Sequence, residues 1–260
     1  MSKWVGAWLS CFLVAAPAAW GEGARMDVTA ARGALDGNDA EAAVVAVEAL
    51  GQARQVVPLL DALADGVHPD VAVRALQALQ KIGDRRAEPT YFAYSRHRVA
   101  AVRAAALPGL AKAGREGEKR IVAALGDPAV EVRAAALQIC TERRWAKVVP
   151  QVLVLFAKGD KATAPALAAF GDPALAKRIT EMAGKVPDDL LAQALAGMLG
   201  NPKFGKEDDY VELVSTIGHL PGDEPVTALA AFLGTQPQDS TRPSVQAARA
   251  IIEERLGGVK

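Results

Sequence analysis

The stretch Gly126–Cys140, GDPAVEVRAAALQIC, has the pattern of a helix start followed by an amphipathic helix rich in alanine. Asp127 is predicted to cap this helix, because a carboxylate can accept a hydrogen bond from an unpaired N–H of the first turn. Pro128 suits the first helical position, where the absent N–H has no partner within the helix. Related helices recur through most of the chain, so a repeated helix is expected to set the fold.

The recurrence is clearest when the second helix of each predicted helix pair is aligned on one late apolar residue. The aligned residues are Leu50, Leu79, Leu110, Cys140, Leu167, Leu199 and Leu233. A fixed period of about 30 residues is typical of a solenoid, in which each helical hairpin buries its apolar face against its neighbours. No segment alternates with period two for long enough to predict a strand. The sequence therefore predicts an all-α solenoid of about seven stacked helical hairpins over residues 27–256.

The composition agrees with closely packed helices. Hydrophobic residues make up 51% of the chain and aromatic residues only 5%, so the apolar content is mostly Ala, Val and Leu. Strands would favour more β-branched and aromatic side chains. The formal net charge is zero, so no overall electrostatic field favours nucleic acid or a membrane surface.

Three segments resemble short HEAT repeats, and they are most similar to the kind of about 30 residues that is named after phycobilisome lyases. These segments are HPDVAVRALQALQKIGD (His68–Asp84), VAAVRAAALPGLAKAG (Val99–Gly114) and DPAVEVRAAAL (Asp127–Leu137). The resemblance implies a HEAT-like superhelix. It specifies a scaffold well and a function poorly, because the lyase relatives that carry such repeats include enzymes or enzyme subunits.

One arginine recurs within these repeats. Arg103 and Arg133 occupy the same repeat position, and Arg74 lies within two residues of it. One interpretation is a basic row that binds an anionic ligand. In short HEAT repeats, however, this arginine usually joins one helix to an acidic partner in the same or the next repeat. Asp127 and Glu131 are the nearby candidates, and the planar guanidinium suits such a pair.

Residues 1–21 differ from the rest of the chain. Lys3 is followed by the uncharged apolar run WVGAWLSCFLVAA, then by Pro17 and the small residues around Ala19. This pattern is typical of a secretory signal peptide, so residues 1–21 are predicted to be removed on export to the bacterial periplasm or cell envelope. The alternative is a retained membrane anchor, which is the one way in which membrane contact is expected. Cleavage would leave Cys140 as the single thiol, without an internal disulfide.

The sequence carries no catalytic or metal-binding motif that we recognise: GxSxG, HExxH, CxxC and a phosphate-binding glycine loop are all missing. Cys140 falls in the apolar column and is expected to be a buried hydrophobe. His68 and His97 occupy equivalent places in stacked repeats, about 8–10 Å apart, which is too far for two ligands of one ion. No catalytic residue, cofactor or metal is therefore predicted, and the protein is not expected to be an enzyme.

Charge is distributed unevenly. From Lys81 to Arg120 there are ten basic residues against four acidic ones, which suggests a basic surface for an anionic partner. The candidate partner-binding residues are Arg85, Arg86, Tyr91, Tyr94, Arg96, Arg98 and Arg103. The alternative is a solvated face with its aromatic residues in the core.

These observations favour a non-enzymatic scaffold that mediates protein–protein interaction in the periplasm or cell envelope, with another protein of acidic character as the partner. The first alternative is a lyase-like enzyme or an accessory subunit of an enzyme. The second is binding of an anionic polymer such as nucleic acid through the basic middle repeats. The zero net charge and the export signal argue against the second alternative.

Overall fold

The computed structural model describes residues 28–35 and 39–257, so the predicted signal peptide lies outside the described part. This part contains fifteen α-helices and no strand. The helices are α1 (Val28–Leu35), α2 (Ala40–Gln52), α3 (Val56–Asp65), α4 (Pro69–Ile82), α5 (Glu88–Tyr94), α6 (Ala100–Leu110), α7 (Gly114–Ala124), α8 (Val130–Glu142), α9 (Val149–Ala157), α10 (Thr163–Phe170), α11 (Pro173–Thr180), α12 (Asp188–Leu199), α13 (Glu207–Gly218), α14 (Glu224–Gly234) and α15 (Pro243–Gly257). Short 3₁₀ turns precede α5 and α9.

Consecutive helices pair into seven hairpins, and α15 closes the stack against α13 and α14. The second helices α2, α4, α6, α8, α10, α12 and α14 form one layer, each packed along the next. The first helices α3, α5, α7 and α9 contact their own second helices more than one another. The predicted all-α solenoid of about seven hairpins is therefore confirmed for the described residues.

The second helices approach closely because their contact residues are small. Six of the seven aligned column residues are buried, and only Leu233 in α14 is partly exposed. A Cβ added to Gly51 of α2 would lie 3.0 Å from the Cβ of Ala78 in α4. A Cβ on Gly197 of α12 would lie 2.5 Å from that of Ala168 in α10. At these two contacts, therefore, glycine sets the distance between neighbouring second helices.

Each hairpin places its loops on two edges of the stack. We call the loops that precede second helices the amino edge and the loops that follow them the carboxyl edge. Four residues at one repeat position on the carboxyl edge adopt left-handed backbone conformations: Arg54, Gly83, Gly114 and Arg144, with φ of 54°, 75°, 64° and 54°. The same turn therefore forms in all four loops, although two of them carry arginine instead of glycine at this position.

The turn after α8 is a Schellman motif. The Trp145 N–H donates to the Cys140 carbonyl at 2.9 Å, and the Arg144 N–H donates to the Thr141 carbonyl at 3.0 Å. The residue in the left-handed position of this motif is usually glycine, because a Cβ there crowds the following carbonyl. Arg144 therefore pays a conformational cost that the glycines of the equivalent turns do not.

We expect Arg144→Gly to stabilise the protein by about 0.5–1 kcal/mol, because relief of the left-handed strain exceeds the added entropy of glycine in the unfolded chain. Arg54→Gly is the informative comparison. Arg54→Gly should increase the stability less, because it also removes the hydrogen bond of 3.2 Å that the Arg54 side chain donates to the Ile82 carbonyl. Urea unfolding followed by circular dichroism measures both. A lower midpoint for Arg144→Gly would contradict this account of the turn.

An arginine–aspartate ladder joins consecutive repeats on the amino edge. Arg103 of α6 donates to both carboxylate oxygens of Asp127 at 2.9 and 2.7 Å, and to the carbonyls of His97 and Arg98 at 2.9 and 3.0 Å. One repeat later, Arg133 makes the same arrangement. Its side chain donates to the Asp160 carboxylate at 2.5 Å and to the carbonyls of Asp127 and Pro128 at 2.9 Å each.

The ladder confirms the predicted inter-repeat tie and excludes the alternative of a free basic row for these arginines. Only 14% of the Arg103 side chain and 18% of the Arg133 side chain are exposed. Asp127 is the partner of Arg103, whereas Glu131 contributes only a longer-range attraction. Arg74 is exposed and lies outside the ladder.

The prediction that Asp127 caps α8 is wrong. The helix begins at Val130, and the Asp127 carboxylate accepts a hydrogen bond from the Ala129 N–H, before the first turn. Pro128 likewise precedes the helix. The carboxylate is held there because it must also face the guanidinium of the preceding repeat.

The hydrogen bonds from Arg103 hold the pKa of Asp127 below its usual value of 3.8. A carboxylate with a lowered pKa in the folded state contributes stability above its unfolded pKa and loses it as the pH falls through the folded pKa. We therefore expect Asp127→Asn to lower the free energy of unfolding by about 1–3 kcal/mol at pH 6. The difference from wild type should shrink as the pH falls below about 4.

Urea titrations at several pH values measure this difference. Asp239→Asn is a suitable control, because Asp239 is exposed and forms no ion pair with a described residue. A difference that stays constant between pH 6 and pH 3 would show that the Asp127 charge does not act through the ladder.

Candidate functional site

The predicted partner-binding residues do not form one patch. The chain passes from the carboxyl edge at Arg85 through α5 to the amino edge at Arg96 and Arg98. The seven residues of α5 span about 10 Å along the helix axis. The basic middle repeats therefore present two separate groups of charges, one on each edge.

Three of these residues have partners within the protein. Arg103 belongs to the ladder. Arg86 forms an ion pair of 2.7 Å with Asp84, and the hydrogen bonds from Arg86 lower the pKa of Asp84 to about 2. The Tyr94 hydroxyl donates to the Leu63 carbonyl, and its ring stacks on His97 with the centroids 5.8 Å apart. The side chains of these three residues therefore already make contacts within the protein.

Arg96 and Arg98 remain free on the amino edge. Both are exposed, and within the described ranges neither side chain forms a hydrogen bond or an ion pair. Their loop is nonetheless held in place. Arg103 binds two of its carbonyls, and the Arg120 side chain donates to the hydroxyl of buried Ser95 at 2.8 Å and to its carbonyl.

The guanidinium of Arg120 lies near the positive charge of Arg96. Burial lowers the pKa of Arg120, and the nearby positive charge of Arg96 lowers it further. The amino edge therefore carries two exposed guanidinium groups without a partner among the described residues, Arg96 and Arg98, on a loop that the partly buried Arg120 also contacts.

A cavity of about 560 Å³ lies on the carboxyl edge. It is formed by the ends of α4, α6 and α8, together with the 3₁₀ turn and the start of α5. The residues that line it are Gln80, Gly83, Asp84, Arg85, Glu88, Tyr91, Pro108, Gly109, Ala111, Lys112, Ala113, Ile139, Glu142 and Arg143. Three consecutive repeats therefore contribute to one concave site.

Tyr91 and Gly109 shape the floor of this cavity. The Tyr91 ring lies directly on the backbone of α6, since a Cβ added to Gly109 would come within 2.4 Å of ring carbons. Burial raises the pKa of Tyr91. Its hydroxyl bonds to no other described residue, and no described side-chain polar atom is both sealed from solvent and unpartnered. The hydroxyl therefore keeps some contact with solvent, and Tyr91 is one of the residues that line the cavity.

Charges of both signs surround the cavity. Arg85, Lys112 and Arg143 form no ion pair with a described residue, and neither does Glu88. Glu142 accepts a hydrogen bond of 2.9 Å from Gln138 but has no cationic partner within the described ranges. Lys112, Arg143 and both glutamates were not among the predicted site residues, because the cavity joins residues of three consecutive repeats. Lys112, Glu142 and Arg143 could have been found by comparing the residues that follow the aligned column, whereas Glu88 lies at the start of α5.

Cys140 is fully buried in the aligned column, as expected for a core position, and burial raises the pKa of its thiol to about 11. Among the described residues, no cluster of three or more His, Cys, Asp and Glu side chains could hold a metal ion. No described helix is both long and apolar enough to span a membrane.

The Cys140 thiol should not react with a small disulfide reagent in the folded protein at pH 8. With a pKa of about 11, roughly one thiol in a thousand is ionised at that pH, and none of the side chain is accessible. We expect complete reaction in concentrated urea. The measurement uses a Cys11→Ser variant, which leaves Cys140 as the single thiol. Rapid labelling of the folded protein would contradict its placement in the core.

Comparison with known proteins matches this chain at the level of the fold. No protein-family model and no curated protein sequence matches it. A solved structure that it resembles is the complex of CpcE and CpcF of phycocyanin lyase from Nostoc sp. PCC7120. The sequence identity is 19%, the match covers 92% of this chain and 98% of that chain, and the TM-score is 0.46.

Two expectations from the sequence are corrected by this comparison. The protein was expected to be a non-enzymatic scaffold in the periplasm or cell envelope, and not an enzyme. The solved structure that it resembles is a complex of phycocyanin lyase, and both expectations are withdrawn on that finding. The resemblance to short HEAT repeats is confirmed, because the described chain is an all-α stack of helical hairpins.

Proposed function

We propose that this chain acts as a subunit of an enzyme and binds an acidic partner protein through the amino edge around Arg96 and Arg98. The observation that carries the proposal is the pair of free guanidinium groups on a loop that the fold holds rigid. An enzyme subunit was the first alternative from the sequence, and the arrangement of the two edges supports it.

The amino edge has the properties of a docking surface. Its backbone is fixed by Arg103 and Arg120, so binding costs little loop entropy. Arginine is enriched at protein interfaces, and a local positive potential accelerates association with an acidic partner. Because Arg103 is already paired with Asp127, Arg96 and Arg98 are the residues through which this edge acts.

The carboxyl edge supports the association with an enzyme. Its cavity of about 560 Å³ falls within the usual size range of small-molecule sites, about 300–1,000 Å³. Tyr91 and charged residues without ion-pair partners among the described residues line it. Since the cavity and the two free arginines lie on opposite edges, a partner bound at the amino edge leaves the cavity open.

Export to the periplasm or cell envelope remains a proposal that rests on residues 1–21. Cell fractionation with amino-terminal sequencing of the mature chain tests it. A mature chain that still begins at Met1 would contradict cleavage.

The proposed function is tested by purifying the chain with its partners from its native cells and assaying the complex. We expect a stoichiometric partner that is an enzyme, whose activity falls when the solenoid is removed. Arg96→Glu with Arg98→Glu should weaken the complex by tenfold or more in low salt, because two attractive charges become repulsive. Added salt should also weaken the wild-type complex, because it screens the attraction between opposite charges.

The matched control is Arg178→Glu with Lys185→Glu. These residues are exposed and unpaired within the described ranges, and the double change alters the net charge by the same amount. It should leave the affinity unchanged. Equal affinities for wild type and the Arg96 and Arg98 double variant, or a partner without enzymatic activity, would overturn the proposal.

A further inference from the structure

We infer that the carboxyl-edge cavity binds a short peptide segment that carries a positive and a negative charge on either side of an apolar side chain. The inference rests on the proposed function for the source of the peptide, a partner protein, but not for the binding itself. No residue of this cavity belongs to the amino-edge docking surface.

The first argument is the charge pattern of the rim. Arg85, Lys112 and Arg143 supply three cations, whereas Glu88 and Glu142 supply two carboxylates, and none of them pairs with another within 4.0 Å. Asp84 is already neutralised by Arg86. A ligand of a single sign would leave one set of rim charges facing a like charge. A ligand with both signs can satisfy both sets.

The second argument is the floor. It is apolar and small, built from the Tyr91 ring, Pro108, Ala111, Ala113 and Ile139. An aliphatic side chain placed there loses water contact on most of its surface, which favours binding. Such a floor suits one apolar residue between two charged ones.

The third argument is that the space is built into the fold. Tyr91 can lie flat on α6 only because residue 109 is glycine, since a Cβ there would meet the ring at 2.4 Å. The ring would otherwise be displaced. The cavity spans the ends of three second helices, so its shape follows from the repeat stack and does not depend on a loose loop.

The experiment uses the isolated full chain and three blocked tripeptides with leucine at the centre. One peptide carries lysine and glutamate at its ends, one carries two lysines, and one carries two glutamates. Binding is followed by calorimetry in low salt and by the NMR shifts of the Tyr91 ring and the Ile139 methyl groups. We expect the mixed peptide to bind roughly fivefold or more tightly than either single-sign peptide.

Variants of the chain identify the site. Arg143→Gln and Glu88→Gln should each weaken the mixed peptide roughly two- to fivefold, and Ala111→Trp should abolish binding by filling the floor. Arg178→Gln and Glu181→Gln are the controls, because both residues are exposed and lie outside the cavity. Circular dichroism checks that each variant is folded.

The inference is overturned if no peptide binds, if a single-sign peptide binds as tightly as the mixed one, or if a folded Ala111→Trp variant binds normally. These failures are separate from failure of the proposed function, because neither the partner enzyme nor Arg96 and Arg98 enter the measurement. Peptide binding combined with an unchanged complex in the Arg96 and Arg98 double variant would refute only the docking proposal.

Discussion

The close approach of the second helices is the constraint on which the rest of this structure depends. Alanine and glycine at their contacts let α2, α4, α6 and α8 pack along one another, with Gly51 against Ala78 as the clearest case. Burial of one small residue stabilises the folded state only slightly. The stability of the stack therefore comes from a long series of such contacts. The first helices lie outside this layer and are free to vary in length. That freedom is what creates sites on an otherwise regular stack.

The arginine–aspartate ladder converts this packing into a defined amino edge. Each arginine binds the loop of its own repeat and the aspartate of the next. The ladder therefore fixes the relative positions of consecutive loops as well as the helices beneath them. The ladder arginines are paired with aspartates. The arginines of this edge that stay exposed and unpaired among the described residues are therefore Arg96 and Arg98, which lie just before α6. A structural interaction thus decides which arginines remain available.

The sequence predicted the parts of this protein that repeat. The aligned leucine column and the hairpin count follow from patterns that recur about every 30 residues, and the tie from Arg103 is what the resemblance to short HEAT repeats implies. Asp127 was wrongly predicted to cap α8 because its sequence context is that of a helix cap. In the structure its carboxylate also accepts hydrogen bonds from Arg103 of the preceding repeat. The basic surface was predicted as one patch because neighbours in sequence were treated as neighbours in space. In a hairpin array, residues about ten apart lie on opposite edges.

The cavity could not be predicted in the same way, because it arises where the repeat is irregular. The first helix α5 has only seven residues and follows a 3₁₀ turn, whereas α4 and α6 on either side have 14 and 11. A short first helix leaves the carboxyl ends of the longer second helices uncovered, and the Tyr91 ring fills only part of that space. Exposed charged residues that follow the second helices, Lys112 and Arg143 among them, line this gap. Regular packing therefore supplies the frame of this solenoid, and the departure from regularity at α5 supplies its concave site.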